Sequence, residues 1–203
     1  MRFRTLASVF SASSARKMQS RSNGTIFWPI LAVVTVIDVV TKGMAERLLA
    51  PQRIPHDVLG SWLRLTLVYN PGAAFGLNLG AQSRWIFTAL TLIALVILGR
   101  LYLATTRGDA PRTLALALVC AGAIGNLLDR LRSEMGVVDF LDAGLGDARW
   151  PTFNVADMAV STGAVLLAWV LWQEDRAAVV PDVEPRLLTQ MGATSSGDGG
   201  DLV

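Results

Sequence analysis

Four long apolar runs alternate with polar connections along the chain, near Ile26–Lys42, Trp85–Ala104, Arg112–Leu128 and Asp157–Trp172. Each approaches the roughly 20 residues that an α-helix needs to cross a bilayer. The pattern therefore predicts four membrane-spanning helices. The last run is the shortest, which places Asp157 at an interface rather than at mid-bilayer. The connection around residues 44–84 is too polar to cross. Its segment Trp62-Leu63-Arg64-Leu65-Thr66-Leu67-Val68-Tyr69 partly alternates, as a short strand would, and Asn70-Pro71-Gly72 then forces a turn. The expected fold is an all-α membrane protein, four transmembrane helices with a small extracytoplasmic β-like cradle. A plain amphipathic loop is the alternative for the cradle segment.

Composition sharpens this. The 203 residues are 52% hydrophobic and 17% charged, against about 25% charge in a soluble domain, and the mean hydropathy is +0.46. A net charge of +2 without a basic stripe gives no nucleic-acid surface. Cys120 is the only cysteine, which excludes an intrachain disulfide. It falls inside the third run, where a buried structural thiol is expected. Arg2, Arg4, Arg16, Lys17 and Arg21 all precede the first acidic residue, Asp38. Residues 1–25 thus read as a basic cytoplasmic tail, 26–173 as the membrane domain, and the acidic, Gly/Ser-rich stretch 174–203 as a disordered cytoplasmic tail.

With Arg107 and Arg112 between the second and third runs, the positive-inside rule puts the N-terminus in the cytoplasm, and four crossings return the C-terminus there. Helical parity then gathers every unusual polar residue on the other face. Asp38 and Lys42 end span one, Asn126, Asp129 and Arg130 end span three, Asp157 begins span four, and Asn70 lies in the connection on that side. Asp38 and Lys42 share a helix face, as do Asn126 and Arg130. An interfacial ion pair would explain the first couple. An interhelical hydrogen bond beside Gly122 and Gly125 would explain Asn126. Neither explains the convergence of all of them.

An ionised carboxylate at a helix centre costs about 2.5–3.5 kcal/mol on insertion scales. Carboxylates retained there need a partner or a chemical role. Two that meet can share one proton, the arrangement by which paired Asp residues activate water. A proton relay or small transporter is the alternative, but a relay should continue toward the opposite leaflet, where the spans hold no acidic residue. His56 stands alone in the external connection and reads as a solvated loop residue. No HExxH, GxSxG or phosphate-binding Gly loop occurs.

Four motifs in order, Asp38-Val39-Val40-Thr41-Lys42, Asn70-Pro71-Gly72-Ala73-Ala74-Phe75, Gly125-Asn126-Leu127-Leu128-Asp129-Arg130 leading to Val138-Asp139-Phe140, and Phe153-Asn154-Val155-Ala156-Asp157, resemble the lipoprotein signal peptidase (signal peptidase II) family of bacterial inner membranes. The resemblance covers about residues 26–173. It implies that Asp139 and Asp157 form a catalytic dyad, supported by Asp38, Lys42, Asn70, Asn126, Asp129, Arg130 and Asn154. Position along the membrane leaves Asp129 as eligible as Asp139, and only the family pattern prefers the later residue. The implied substrate is a prolipoprotein cut just before a diacylglyceryl-modified cysteine whose chains lie in membrane lipid. Asn126 and Asn154 are expected to hydrogen-bond its backbone. No metal or other cofactor is required, and a monomer is expected.

Overall fold

The computed structural model describes residues 4–72 and 82–179. The Ala73–Phe75 part of the second motif and the tail from residue 180 lie outside the described residues. The elements are α1 (Arg4–Leu48), β1 (His56–Leu59), β2 (Leu63–Asn70), α2 (Ser83–Ala104), α3 (Ala110–Arg132), β3 (Val137–Leu145), β4 (Ala148–Arg149) and α4 (Val155–Val179). Among the described residues four segments are long and apolar enough to cross a membrane: Asn23–Leu48, Ser83–Ala104, Ala110–Arg132 and Val155–Arg176. Two compact units divide the chain, residues 1–168 and 169–203. The second includes the last turns of α4, where the Arg176 guanidinium lies 4.9 Å from the Trp172 ring centre.

Within the first unit α3 is the most buried of the spanning helices, and α1 and α2 pack against it. Its start is well specified: Asp109 at the N-cap accepts from the Arg112 amide at 3.1 Å, with Pro111 in the first turn. At the loop end of α2, Phe27 stacks on Tyr102 at 4.0 Å over Leu116, Ala117 and the buried thiol of Cys120. By contrast, Leu90, Ile93, Val96 and Ile97 of α2 are exposed, the wall expected to face hydrocarbon.

At the other end of the helices a four-stranded antiparallel sheet runs in the order β1-β2-β3-β4. Val68 pairs with Asp139 and Asn70 with Val137. The sheet seals against the end of α1 through Ala45, Leu49, Leu67, Val138 and Phe140. The strand expected at Trp62–Tyr69 is β2. Strand β3 was not foreseen, although Val137-Val138-Asp139-Phe140-Leu141 follows a glycine and is rich in strand-forming residues.

Span one outruns its expected end at Lys42, continuing to Leu48. The Lys42 charge suggested the membrane surface, yet that side chain is only 1% exposed and its charge is met by protein. Close packing makes this possible. A Cβ at Gly125 would strike Asp38 Oδ2, and one at Gly122 would strike the Ala156 carbonyl oxygen of α4. Gly125→Ala should therefore destabilise the protein by about 1–3 kcal/mol, read as a lower Tm in detergent. Gly99→Ala on α2, whose added methyl meets nothing within 4 Å, should leave the Tm unchanged or raise it. Equal melting of the two variants would refute the close-approach account.

Candidate active site

Lys42 lies at the centre of the polar cluster. Its Nζ is 2.8 Å from Asp38 Oδ2, 2.9 Å from Asp129 Oδ2 and 2.9 Å from Asn126 Oδ1. Three oxygens thus surround an ammonium group that has three N–H bonds to offer. Asp38 and Lys42 are four apart on one helix, so α1 supplies both charges from one face. Asp38 Oδ1 then accepts from the Ala156 amide at 2.8 Å. A carboxylate of α1 thereby caps the N-terminus of α4, where the helix dipole favours negative charge. Asp129 also accepts from the Val138 amide at 3.2 Å, fixing the start of β3.

Asn154 and Asp157 cap α4 reciprocally. The Asn154 Oδ1 accepts from the Asp157 amide at 2.9 Å, and Asp157 Oδ2 accepts from the Asn154 amide at 3.3 Å. This is a capping box with Asn and Asp in the two places. Its spacing, Asn-x-x-Asp before an apolar run, is legible in sequence as a helix start. Asn154 is fully buried, and its Nδ2 donates to Asp139 Oδ1 at 2.7 Å. One side chain therefore bridges the helix end carrying Asp157 and the strand residue Asp139. On its other oxygen Asp139 accepts from Asn70 Nδ2 at 3.2 Å. Asn70 is held in turn by an Asx turn, its Oδ1 accepting from the Gly72 amide at 3.0 Å. Gly72 has φ +115°, a conformation L side chains rarely adopt.

Asn126 joins this group to the lysine. Its Oδ1 accepts from Lys42 and from Asn154 Nδ2, and its Nδ2 donates to Asp157 Oδ1 at 2.7 Å. The amides of Asn126 and Asn154, expected to face substrate, are thus engaged within the protein. Asp139 and Asp157 line a cleft of about 280 Å³ with Asn70, Phe87, Arg130 and Trp150. Arg130 donates from Nη1 to its own helix at Asn126 O, 3.3 Å, while its buried Nε has no hydrogen-bond partner among the described residues. Burial, and then the neighbouring Asp157 carboxylate, push the Asp139 carboxyl up to about 7.

The structure brings together all nine site residues expected from sequence, in two linked groups. Asp38, Asp129 and Lys42 compensate one another. Asp139 and Asp157 share the cleft, and Asn126, Asn154 and Asn70 connect or hold them. The two Asp residues that sequence position left equivalent are separated by partner: Asp129 is on Lys42, Asp139 is not. His56 is an exposed residue of β1 rather than of a loop. Among the described residues no three His, Cys, Asp or Glu side chains converge to hold a metal ion. Phe87 and Trp150, which wall the cleft, were not identified from sequence, because no local pattern distinguishes them from other membrane aromatics.

A family model described as signal peptidase (SPase) II matches residues 30–173. The chain is 40% identical over 146 residues to a lipoprotein signal peptidase of Moorella thermoacetica, a match covering 71% of this chain and 91% of that protein. It is 40% identical over 152 residues to a lipoprotein signal peptidase of Paraburkholderia phytofirmans, covering 73% and 86%. Among solved structures, a bacterial membrane enzyme determined by the in meso method at 2.3 Å is similar, with a TM-score of 0.68 and 28% identity, covering 79% of this chain and 95% of that one. The family match runs from α1 into α4 and includes every residue of the cluster, and the chain belongs to the signal peptidase II family.

Proposed function

We propose that this peptidase is a membrane aspartic endopeptidase that removes signal peptides from diacylglyceryl-modified prolipoproteins, cleaving just before the lipidated cysteine. The observation that carries the mechanism is the Asn154 bridge, which holds Asp139 and Asp157 at one cleft without adding charge between them. Asp139, with its raised pKa, carries the proton of the pair and polarises the scissile carbonyl. Asp157 takes a proton from the attacking water. The roles then reverse so that the departing amine is protonated. The Arg130 guanidinium lines the cleft and serves as a donor to a substrate carbonyl. The diacylglyceryl chains remain among the lipids around the spans, so that lipid acts by positioning the scissile bond. The protein works as a monomer in the bacterial inner membrane, with both termini in the cytoplasm and the cleft on the opposite face.

Cleavage of a lipidated prolipoprotein by the purified protein tests the chemistry. Asp139→Asn and Asp157→Asn should each lower turnover by about 10²–10⁴-fold, and the double variant should be no worse than either, since the pair acts as a unit. Asp57→Asn, which removes an exposed partner of Arg64 on the sheet, should cut normally. The same precursor with its cysteine replaced by serine should be cut far more slowly by the unaltered protein. Equal rates on both precursors would sink the lipoprotein specificity, and near-normal turnover by either dyad variant would sink the mechanism.

The pH profile follows from the same pair. A carboxyl carries its proton below its pKa, so the singly protonated dyad is depleted as pH rises through about 7. The rate kcat/KM should accordingly fall on the alkaline side of that value. A profile flat to pH 9 would contradict the assignment of the proton to Asp139.

Orientation is tested separately by cysteine labelling in cells stripped of any outer barrier. A membrane-impermeant thiol reagent should modify Asp147→Cys, in the exposed turn between β3 and β4, and should leave Thr106→Cys, between α2 and α3, unmodified. The opposite pattern would reverse the topology.

A further inference from the structure

The two carboxylate-bearing segments run side by side for several residues before they reach the cleft. Strand β3 carries Asp139, and residues 150–154 lead into α4 and Asp157. Between them the Trp150 amide donates to Ala143 O at 2.8 Å, the Phe153 amide to Leu141 O at 3.0 Å, and the Leu141 amide to Phe153 O at 2.8 Å. Pro151 contributes no N–H to this ladder. The wall over the dyad, Trp150 to Phe153, is therefore held mainly by backbone and by whatever fixes its first residue. Packing does little at that point, since Trp150 is 66% exposed.

Arg149 stands immediately before this wall. Its guanidinium donates from Nε to Asp142 Oδ1 at 2.8 Å, from Nη2 to the Asp142 carbonyl oxygen at 2.7 Å and from Nη1 to Ser61 O at 2.6 Å. The second carboxylate oxygen of Asp142 accepts from the Thr66 hydroxyl at 3.2 Å. One planar fork thus grips β3 three residues after Asp139, the turn between β1 and β2, and the chain that becomes the cleft wall. Both side chains are largely shielded from water, so the pair is screened little by salt. Trp150 and Phe153 also line an adjoining cleft of about 460 Å³ together with Asp157, Met158 and Ser161. The wall thus lines both clefts beside Asp157.

We propose that Asp142 and Arg149 are positioning residues for the proteolytic reaction: their ion pair fixes the Trp150–Phe153 wall against β3 and thereby sets the spacing of Asp139 and Asp157 and the access of water to them. This rests on the reading of those two aspartates as the catalytic pair. Neither residue touches the cleft's carboxylates directly, and their effect passes through the backbone between them. A clip that served only to staple an exposed hairpin would have no consequence at the dyad beyond the amount of folded protein.

The test uses the purified full-length protein, a lipidated prolipoprotein, and the variants Arg149→Met, Arg149→Lys, Asp142→Asn and Asp139→Asn. Arg149→Met should lower kcat by about 10- to 100-fold and move the alkaline limb of the pH profile to lower pH, because water admitted beside Asp139 relieves the burial that raises its pKa. Asp139 faces Asp157 from α4, Lys42 from α1 and Arg130 from α3, and all three remain in this variant. Direct loss of a nearby cation would move the limb the other way. Arg149→Lys keeps the ion pair while losing part of the fork and should restore some of both kcat and the limb. Asp142→Asn, which keeps the volume and an acceptor for Thr66, should lower kcat similarly and serves should Arg149→Met fail to accumulate. Normal kcat with an unmoved limb in folded Arg149→Met would overturn the proposal, as would a loss that follows the fraction folded and is not relieved by lysine. An active Asp139→Asn would overturn the catalytic-pair reading and this one with it, whereas an inactive Asp139→Asn beside a normal Arg149→Met removes the positioning role alone.

Discussion

The arrangement depends first on a single buried ammonium group. Lys42 lies within a spanning helix, 1% exposed, and its ammonium lies within 3 Å of three different side chains, Asp38 and Asp129 as carboxylates and Asn126 as an amide. Taking an ion from water costs several kcal/mol, and attraction between partners offsets that only when geometry and further hydrogen bonds are complete. Here they are. The second carboxylate is in excess of the lysine charge, and the surplus is met by the Arg132 guanidinium, 3.6 Å from Asp129 Oδ1, and by backbone: Asp38 caps the amide end of α4 and Asp129 takes the first part of β3. One charge therefore orders two helices, a third helix's terminus and a strand. Loss of Lys42 would leave two buried carboxylates without their shared cation.

Four aspartates within this small region are divided into two uses by their partners rather than by their type. Asp38 and Asp129 touch lysine. Asp139 and Asp157 touch amide groups instead, through Asn70, Asn154 and Asn126. Amides satisfy carboxylate oxygens without supplying the positive charge that would hold both groups ionised. Burial, with the Asp157 charge, then outweighs the lowering effect of the two amides and of the more distant Lys42, and the Asp139 carboxyl rises to about 7. Environments that push neighbouring carboxyl groups apart are the usual mark of acid and base roles. Asn126 is the joint between the two uses, because its oxygen faces the lysine and its nitrogen faces Asp157.

Much of this was legible in the chain. Spans, parity and helical spacing were enough to predict that Asp38, Lys42, Asn126, Asp129, Arg130 and Asp157 would meet, because each sits at a run boundary on one side. Asp139 was not distinguishable from Asp129 by position, and only the family pattern separated them. The physical difference is tertiary: Asp129 lies on the α3 face turned to Lys42, while Asp139 comes from a strand whose register is set by pairing with β2. Strand β3 went unread because an apolar run of that length is ambiguous between helix and strand. The Asp142–Arg149 contact was invisible for a related reason, since it spans a hairpin whose strands had not been recognised.

The misjudged end of α1 has a further consequence. A charged residue marks the membrane surface only where water is what solvates it, and Lys42 is solvated by carboxylates carried on neighbouring helices. The helix goes on from Lys42 to Leu48, about 9 Å at 1.5 Å per residue. The lysine hub is accordingly recessed below the end of α1, and the sheet that seals against Ala45 and Leu49 overlies it. Burial follows from this arrangement: Asp38, Lys42, Asp129 and Asp139 are each no more than 5% exposed. For the proposed substrate the recess removes a cost, because a peptide bond next to an acylated cysteine need not be drawn out of the membrane to be cut. Under that proposal the ion cluster sets the depth of the site, while burial and the neighbouring Asp157 raise the Asp139 carboxyl.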